Sequence, residues 1–308
     1  MKGNAARILL GVAFLSLLSL VATPQAAASP RFSDWSTPVN LGAVVNSGSD
    51  DSGPGLSKDG LSLYFTSTRP GFGAEDIWVS QRASTSAPWG APVNLGPVIN
   101  TAANERVPNF SRDSHWMFFG SSRGGGFGGF DIWASWRPNV HDDFGWQAPM
   151  NLGPGVNTTL VENGPSFFET EDGAAFMYFT RNRPGDPNDF DIYASARQPD
   201  GSWGTASAVV ELNSPVNDAR PAVRHDGLEI IFHSLRSGTF DLWAATRETT
   251  ADAWSAPASL VPVNTQFLDA QPAISADRES LIFTSNRPGG LGGGDLYVST
   301  RTKSRGGP

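Results

Sequence analysis

Along most of its length the chain alternates short apolar runs with clusters of Gly, Asp, Asn, Ser and Pro. The first clear run is Leu61-Ser-Leu-Tyr-Phe-Thr-Ser67, with Asp59-Gly60 before it and a glycine loop from Pro70 to Ala74 after it. Period-2 alternation and β-branched or aromatic residues between turn signals predict strands. The turn residues recur too often for long helices. Around this run the pattern predicts strand A near Pro54 to Ser57, strand B from Leu61 to Ser67, strand C from Asp76 to Gln81 and strand D from Trp89 to Leu95.

The pattern then repeats. Trp35-Ser-Thr-Pro-Val-Asn-Leu-Gly recurs from Trp89 and Trp146, and more loosely from Trp203 and Trp254, with a period of 51 to 57 residues. Each Trp is followed by an Asn, at 46, 100, 157, 213 and 264. Five residues beyond each Asn stands an acid, in turn Asp51, Glu105, Glu162, Asp218 and Asp269. A Pro comes three residues later, and an Arg follows it by 15 residues, or 18 in the third copy. These are Arg69, Arg123, Arg183, Arg236 and Arg287, and the Asp that opens each strand C is Asp76, Asp131, Asp191, Asp241 or Asp295. Repetition at this period, with four strands per unit, predicts propeller blades.

The expected fold is therefore all-β, a five-bladed β-propeller with repeats near 50–95, 104–152, 161–209, 217–260 and 268–301. The last copy ends in a strand C. Residues 34–42 carry a strand D with no unit of their own, so they are expected to close the fifth blade and remove the exposed edges.

Composition sharpens this picture. The 34 Gly and 23 Pro suit a turn-rich sheet protein, and 39% hydrophobic residues are enough for a packed core. Residues 1–28 read as a secretory signal, with Lys2 and Arg7, an apolar run from Ile8 to Val21 and an Ala-Ala-Ala ending. This leaves 29–308 as one exported domain, periplasmic or secreted, with no later apolar stretch long enough to cross a membrane. There is no Cys, so neither disulfides nor a lipid-bearing Cys is expected. The formal net charge of -8 argues against nucleic acid as a partner. A monomer without a cofactor is expected, and a channel cation stays open.

The motifs acid-x-x-Pro, Ser-x-Asp-Gly, Phe-Thr-Ser-x-Arg-Pro-Gly-Gly and Asp-Ile/Leu-Tyr/Trp, fullest between Pro272 and Ser299, resemble the WD40-like (PD40, TolB-type) β-propeller repeats. The resemblance spans the chain after its signal and implies an envelope or extracellular propeller that binds other macromolecules. The chain has no room for the extra N-terminal domain of TolB and no sixth copy, so a role in the Tol system does not carry over.

Strand parity gathers the repeated acids, the Arg, the strand C Asp and the glycine loops at one end of the ring, around the channel. Each Arg is expected to pair with the strand C Asp across its glycine loop, giving Arg69–Asp76, Arg123–Asp131, Arg183–Asp191, Arg236–Asp241 and Arg287–Asp295. The five acids before Pro either accept backbone N–H bonds or face the channel, where like charges would need a cation. The Asn before each acid reads as a turn former.

Departures from the repeat mark candidate binding positions. His233 stands where other blades have Thr66, Gly120, Thr180 and Thr284, and Arg181 replaces a Ser. The glycine loops carry Phe72, Phe127, Phe130, Phe190 and Phe240, of which Phe72 and Phe127 are candidates for stacking on a sugar or a partner. His115, His141 and His225 fall at the opposite end, so no His cluster for a metal forms with His233. The expected function is binding of an envelope or extracellular protein, peptide or glycan on the polar end. The alternative is a carbohydrate-active hydrolase or lyase with two carboxylates in different environments at the channel mouth.

Overall fold

The computed structural model describes residues 32–304. The signal segment 1–28 lies outside the described residues. Twenty strands form five antiparallel four-stranded sheets, and the protein is a five-bladed β-propeller.

The chain enters through β1 (Val39–Asn40). Blade 1 follows as β2 (Asp51–Leu56), β3 (Ser62–Ser67), β4 (Asp76–Gln81) and β5 (Val93–Asn94). Blade 2 is β6 (Glu105–Phe110), β7 (Trp116–Ser121), β8 (Asp131–Trp136) and β9 (Met150–Asn151). The third blade, β10 (Glu162–Glu169), β11 (Ala175–Asn182), β12 (Phe190–Ala196) and β13 (Ser207–Ala208), has the longer hairpin that its extra residues require. Blade 4 is β14 (Asp218–Val223), β15 (Glu229–Ser234), β16 (Asp241–Thr246) and β17 (Ala258–Ser259). Blade 5 supplies β18 (Asp269–Ile274), β19 (Ser280–Ser285) and β20 (Asp295–Thr300).

β1 is the fourth strand of blade 5, with Val39 opposite Val298 and Asn40 opposite Tyr297. The pairing continues beyond the ladder, because the Ser36 N–H donates to the Thr300 carbonyl at 2.7 Å and the Leu41 N–H to the Leu296 carbonyl at 3.0 Å. Trp35 is buried in the seam between blades 4 and 5 with Leu242, Phe283 and Tyr297. The guanidinium of Arg301 stacks on Phe32 and Trp35 and donates to the Glu229 carboxylate of blade 4.

Two element boundaries differ from the sequence expectation. Strand A begins at the acid itself, because Asp51 already sits opposite Ser67. Strand D pairs over two residues, since Pro38, Pro92, Pro149 and Pro257 precede the paired segment and have no N–H to donate.

The core lies between blades. Tyr64 and Ile77 of blade 1 pack with Phe110, Phe119, Trp133 and Trp146 of blade 2, and the same arrangement recurs around the ring. Apolar residues on the blade faces thus hold neighbouring sheets together, which leaves the blade ends for polar chemistry.

Every innermost strand carries a bulge two residues after its acid. Gly53, Val107, Gly164, Arg220 and Gln271 all have φ between 53° and 57°, a left-handed conformation unfavourable for a side-chain-bearing residue. The strained N–H is held by strand B of the preceding blade. Val107 donates to Thr66 Oγ1, Arg220 to Thr180 Oγ1, Gly53 to Thr284 Oγ1 and Gln271 to His233 Nδ1, at 2.8 to 3.2 Å. Blade 2 has Gly120 there, so Asn163 fills the space and takes the Gly164 N–H itself at 2.7 Å.

Candidate functional site

The five acids are fully buried at one end of the ring. Asp51 accepts from the Ser47 N–H at 2.6 Å, the Ser47 hydroxyl at 2.9 Å and the Ser67 hydroxyl at 2.6 Å. Glu105 is held in the same way by Thr101 and Ser121, and Glu162, Asp218 and Asp269 by Thr158, Ser214 and Thr265. Of the two arrangements open for these acids, the geometry is the one with backbone donors, and each carboxylate is held locally, although Oδ1 of Asp218 meets only the charge of Arg236 and no hydrogen-bond donor.

Their cationic partner corrects the expected pairing. Arg69 lies 3.1 Å from Asp51, Arg123 3.2 Å from Glu105, Arg236 3.2 Å from Asp218 and Arg287 2.5 Å from Asp269. Arg69–Asp76, Arg123–Asp131, Arg236–Asp241 and Arg287–Asp295 do not form. The register explains this. Arg69 stands two residues past Ser67, and Ser67 is directly opposite Asp51, so the acid far away in sequence is the near one in space. Each of these guanidiniums also lies over two aromatic rings, Phe65 and Trp78 in the case of Arg69.

The third blade solves the same problem differently. Arg181 occupies the Ser position opposite Glu162 and reaches it with Nε at 2.7 Å, while its Nη2 takes the Val156 carbonyl. One Arg thus does the work of a Ser and an Arg elsewhere. Arg183 is thereby released, and here the expected pair exists: Arg183 grips Asp191 at 2.6 Å and Asp189 at 2.6 Å.

The strand C Asp has another task in blades 1, 2 and 5. Asp76 accepts the N–H groups of Phe72 and Gly73 and the amide of Asn94, and Asp131 and Asp295 repeat the set. Asp241 instead takes the Ser237 hydroxyl. The asparagines read as turn formers act as strand substitutes. Asn100 both accepts from the Ile77 N–H and donates to the Ile77 carbonyl of the preceding blade, as do the other four at their own sites.

The three Asp-clamped loops hold Phe72, Phe127 and Leu291 in the open, each about half exposed. Blades 5, 1 and 2 are consecutive in the closed ring, so these tips form an apolar arc on one side of the polar end. Phe130 and Phe240 turn inward, under Arg106 and against His233.

His233 is buried, and burial together with the nearby Arg220 pulls its pKa down to about 3. It is a neutral acceptor for the Gln271 N–H, doing what Thr does in three of the other blades. Among the described residues no group of three His, Cys, Asp or Glu is placed to hold a metal ion.

The channel is narrow, a cavity of about 50 Å³ lined by the innermost strands. Its charged lining is Lys58, Arg112 and Arg220 against Glu169 alone, with His225 held neutral by burial and the neighbouring cations, a basic lumen in an acidic protein. At the polar end two arginines stand at positions where the blades differ. Arg106 lies over the Phe130 ring at 3.7 Å and 3.5 Å from Glu75. Arg220 folds over Gly164, where a Cβ would come within 2.6 Å of its Cδ, and donates to Asn163 Oδ1 at 2.6 Å. Among the described residues Arg220 makes no ion pair. Burial and the charge of Arg106, partly offset by Glu75, pull its pKa down to about 9. Arg106 Nε and Asn163 Nδ2 are buried and meet no acceptor in the protein. Sequence reading missed these two arginines because neither belongs to a repeated set. The signal available was a lone charge at the residue after, or two after, a repeated acid.

No family model matches the sequence, and no curated protein matches it. Solved structures do match in fold. The native arabinanase of Bacillus subtilis superposes with a TM-score of 0.58 at 13% identity, over 85% of this chain and 97% of that one. An α-L-arabinofuranosidase of Podospora anserina in complex with cellotriose gives 0.57 at 10% identity, over 89% and 98%. A putative TolB from Agrobacterium tumefaciens gives 0.47 at 16% identity, over 84% and 78%. At these identities the likeness is one of fold.

Proposed function

We propose that the protein is an exported glycan-directed propeller that binds an oligosaccharide at the channel mouth of its polar end. The observation that carries this reading is the combination, at that polar end, of an arc of exposed apolar tips, Phe72, Phe127 and Leu291, with the part-exposed Arg106–Glu75 pair. Hydrogen-bond donors together with apolar faces are what sugar hydroxyls and sugar ring faces require. The fold neighbours that act on arabinan and arabinofuranosides favour a glycan over a protein or peptide ligand. A glycan array probed with residues 29–308 tests the reading. Selective binding of oligosaccharides supports it, and a blank array beside binding to envelope proteins overturns it.

The same neighbours favour a second reading, a glycoside hydrolase, more than they favour a pure binding module. Such chemistry needs two carboxylates that reach the substrate in unlike environments. The five repeated acids are sealed, and Glu75 is the accessible carboxylate beside Arg106. Release of reducing ends from arabinan, lost in Glu75→Gln, would establish this second reading. No release from arabinan or from any array-bound glycan would leave binding as the function.

A further inference from the structure

Building on the glycan reading, we infer that the ligand carries a carboxylate and that Arg220, with Arg106 behind it, is the site that receives it, so the natural ligand is a uronic-acid-containing oligosaccharide. Three independent features point this way.

The first is the state of Arg220. A guanidinium with five donors is held with a single side-chain acceptor, the neutral Asn163, and no carboxylate. Its positive φ is that of the bulge every blade shares, but Gly164 on the neighbouring innermost strand has no Cβ, which leaves the room the side chain occupies. Simple scaffolding does not require this arrangement. Blade 1 and blade 3 close the same bulge with Gly and blade 2 with Val107.

The second is the second cation. Arg106 stands opposite Gly120, against which Asn163 packs, and Asn163 in turn receives Arg220, so the two cations flank one neutral side chain and Glu75 alone opposes them. Two like charges at a partly desolvated site are unfavourable unless an anion joins them. A carboxylate would, since Arg forks bind it through paired, charge-assisted bonds.

The third is the geometry of access. The channel is too narrow for a sugar to thread, so a ligand meets Arg220 from the mouth. Across that mouth, on blades 1 and 2, the exposed tips of Phe72 and Phe127 offer ring faces for residues of the oligosaccharide further from the carboxylate. The opposite mouth also holds cations, Lys58 and Arg112, but Lys58 is exposed and Arg112 donates to the Thr170 carbonyl. It therefore serves as a control.

The experiment titrates the exported chain with trigalacturonate, with a glucuronate-containing tetrasaccharide and with neutral arabinotriose. The expected result is tighter binding of at least one acidic probe, weakening as salt rises. Arg220→Gln should reduce that affinity by about tenfold or more, as loss of a charged hydrogen-bond pair implies. Lys58→Gln should leave it within about twofold, and the melting temperature of Arg220→Gln should stay near that of the parent. Gly164→Ala, which displaces Arg220 without removing its charge, should weaken the acidic probe as well. Arabinotriose binding as tightly as the acidic probes and indifferent to Arg220→Gln would overturn the carboxylate site while leaving the glycan reading intact. Binding of no probe, together with a blank array, would overturn both.

Discussion

Two charged sets share one end of this propeller, and they differ in whether the protein has already used their bonding capacity. Asp51, Glu105, Glu162, Asp218 and Asp269 are buried and each is enclosed by a hydroxyl, a backbone N–H and an arginine. Arg106 and Arg220 stand on the same innermost strands, one or two residues further on, and hold donors that the protein does not match. The acids recur in every blade because every blade needs its D-to-A connection fastened. The two arginines occur once each, at positions filled elsewhere by Ser52, Asn163, Ala219 and Ala270 or by Gly53, Val107, Gly164 and Gln271. Repetition marks the frame of the ring; of the departures from it, Arg181 and His233 still serve the frame, whereas Arg106 and Arg220 keep donors to spare.

The largest effect should come from opening the frame itself. Removal of residues 32–42 takes away β1, the buried Trp35 and the stacking partners of Arg301, and bares the β20 edge. Loss of a buried Trp alone costs about 3–5 kcal/mol. The truncated protein should aggregate or melt more than about 10 °C lower, and an unchanged melting temperature would contradict a closed ring. Next come the sealed acids. Glu105→Ala leaves Arg123 buried beside an empty position, a loss of about 3–5 kcal/mol by analogy with broken buried pairs. Denaturant unfolding measures it, and a cost below about 1 kcal/mol would show that the acids are not part of the frame.

A smaller effect separates frame from mouth by pH. The folded pKa of His233, about 3, lies below the ordinary value of 6.5, so the unfolded chain binds the extra proton as pH falls. The stability that neutral His233 contributes is present above about pH 6.5 and is lost progressively towards pH 3, at up to about 1.4 kcal/mol per pH unit. His233→Thr keeps an acceptor for the Gln271 N–H and should flatten this part of the stability profile. An identical acid dependence in the variant would contradict a buried neutral imidazole. The smallest effect is expected for Arg220→Gln, whose stability should lie within about 1 kcal/mol of the parent, since it ends a repulsion with Arg106 while giving up one bond to Asn163. A large destabilisation would move Arg220 into the frame and break the comparison.

Much of the frame was legible because the blade pattern is written five times. The closing role of residues 34–42 follows from an orphan strand D at one end and a missing one at the other. The pairing of the charges was less legible. Arg69 is seven residues from Asp76 and eighteen from Asp51, and only the antiparallel register, with Ser67 opposite Asp51, brings the distant acid close. The exchange of roles between Arg181 and Arg183 is likewise invisible until the register is known. A further repeated residue went unread. An Arg stands six positions after each strand C Asp, and in four of the five copies, such as Arg82 and Arg247, it stacks on the tryptophan before strand D, here Trp89 and Trp254, at 4.2 Å. The mouth was hidden for a different reason. Arg106 and Arg220 belong to no set, and a single arginine in sequence carries no sign of whether a carboxylate waits for it in the fold.

The most direct test of this account is a structure of residues 29–308 with the tightest-binding oligosaccharide from the array. The account predicts a sugar carboxylate against the Arg220 guanidinium, neighbouring rings towards Phe72 or Phe127, and the five acids still holding their hydroxyl, N–H and arginine partners. A ligand lodged on the outer blade faces, or one that has prised open the acid networks to reach Asp51 or its counterparts, would contradict it.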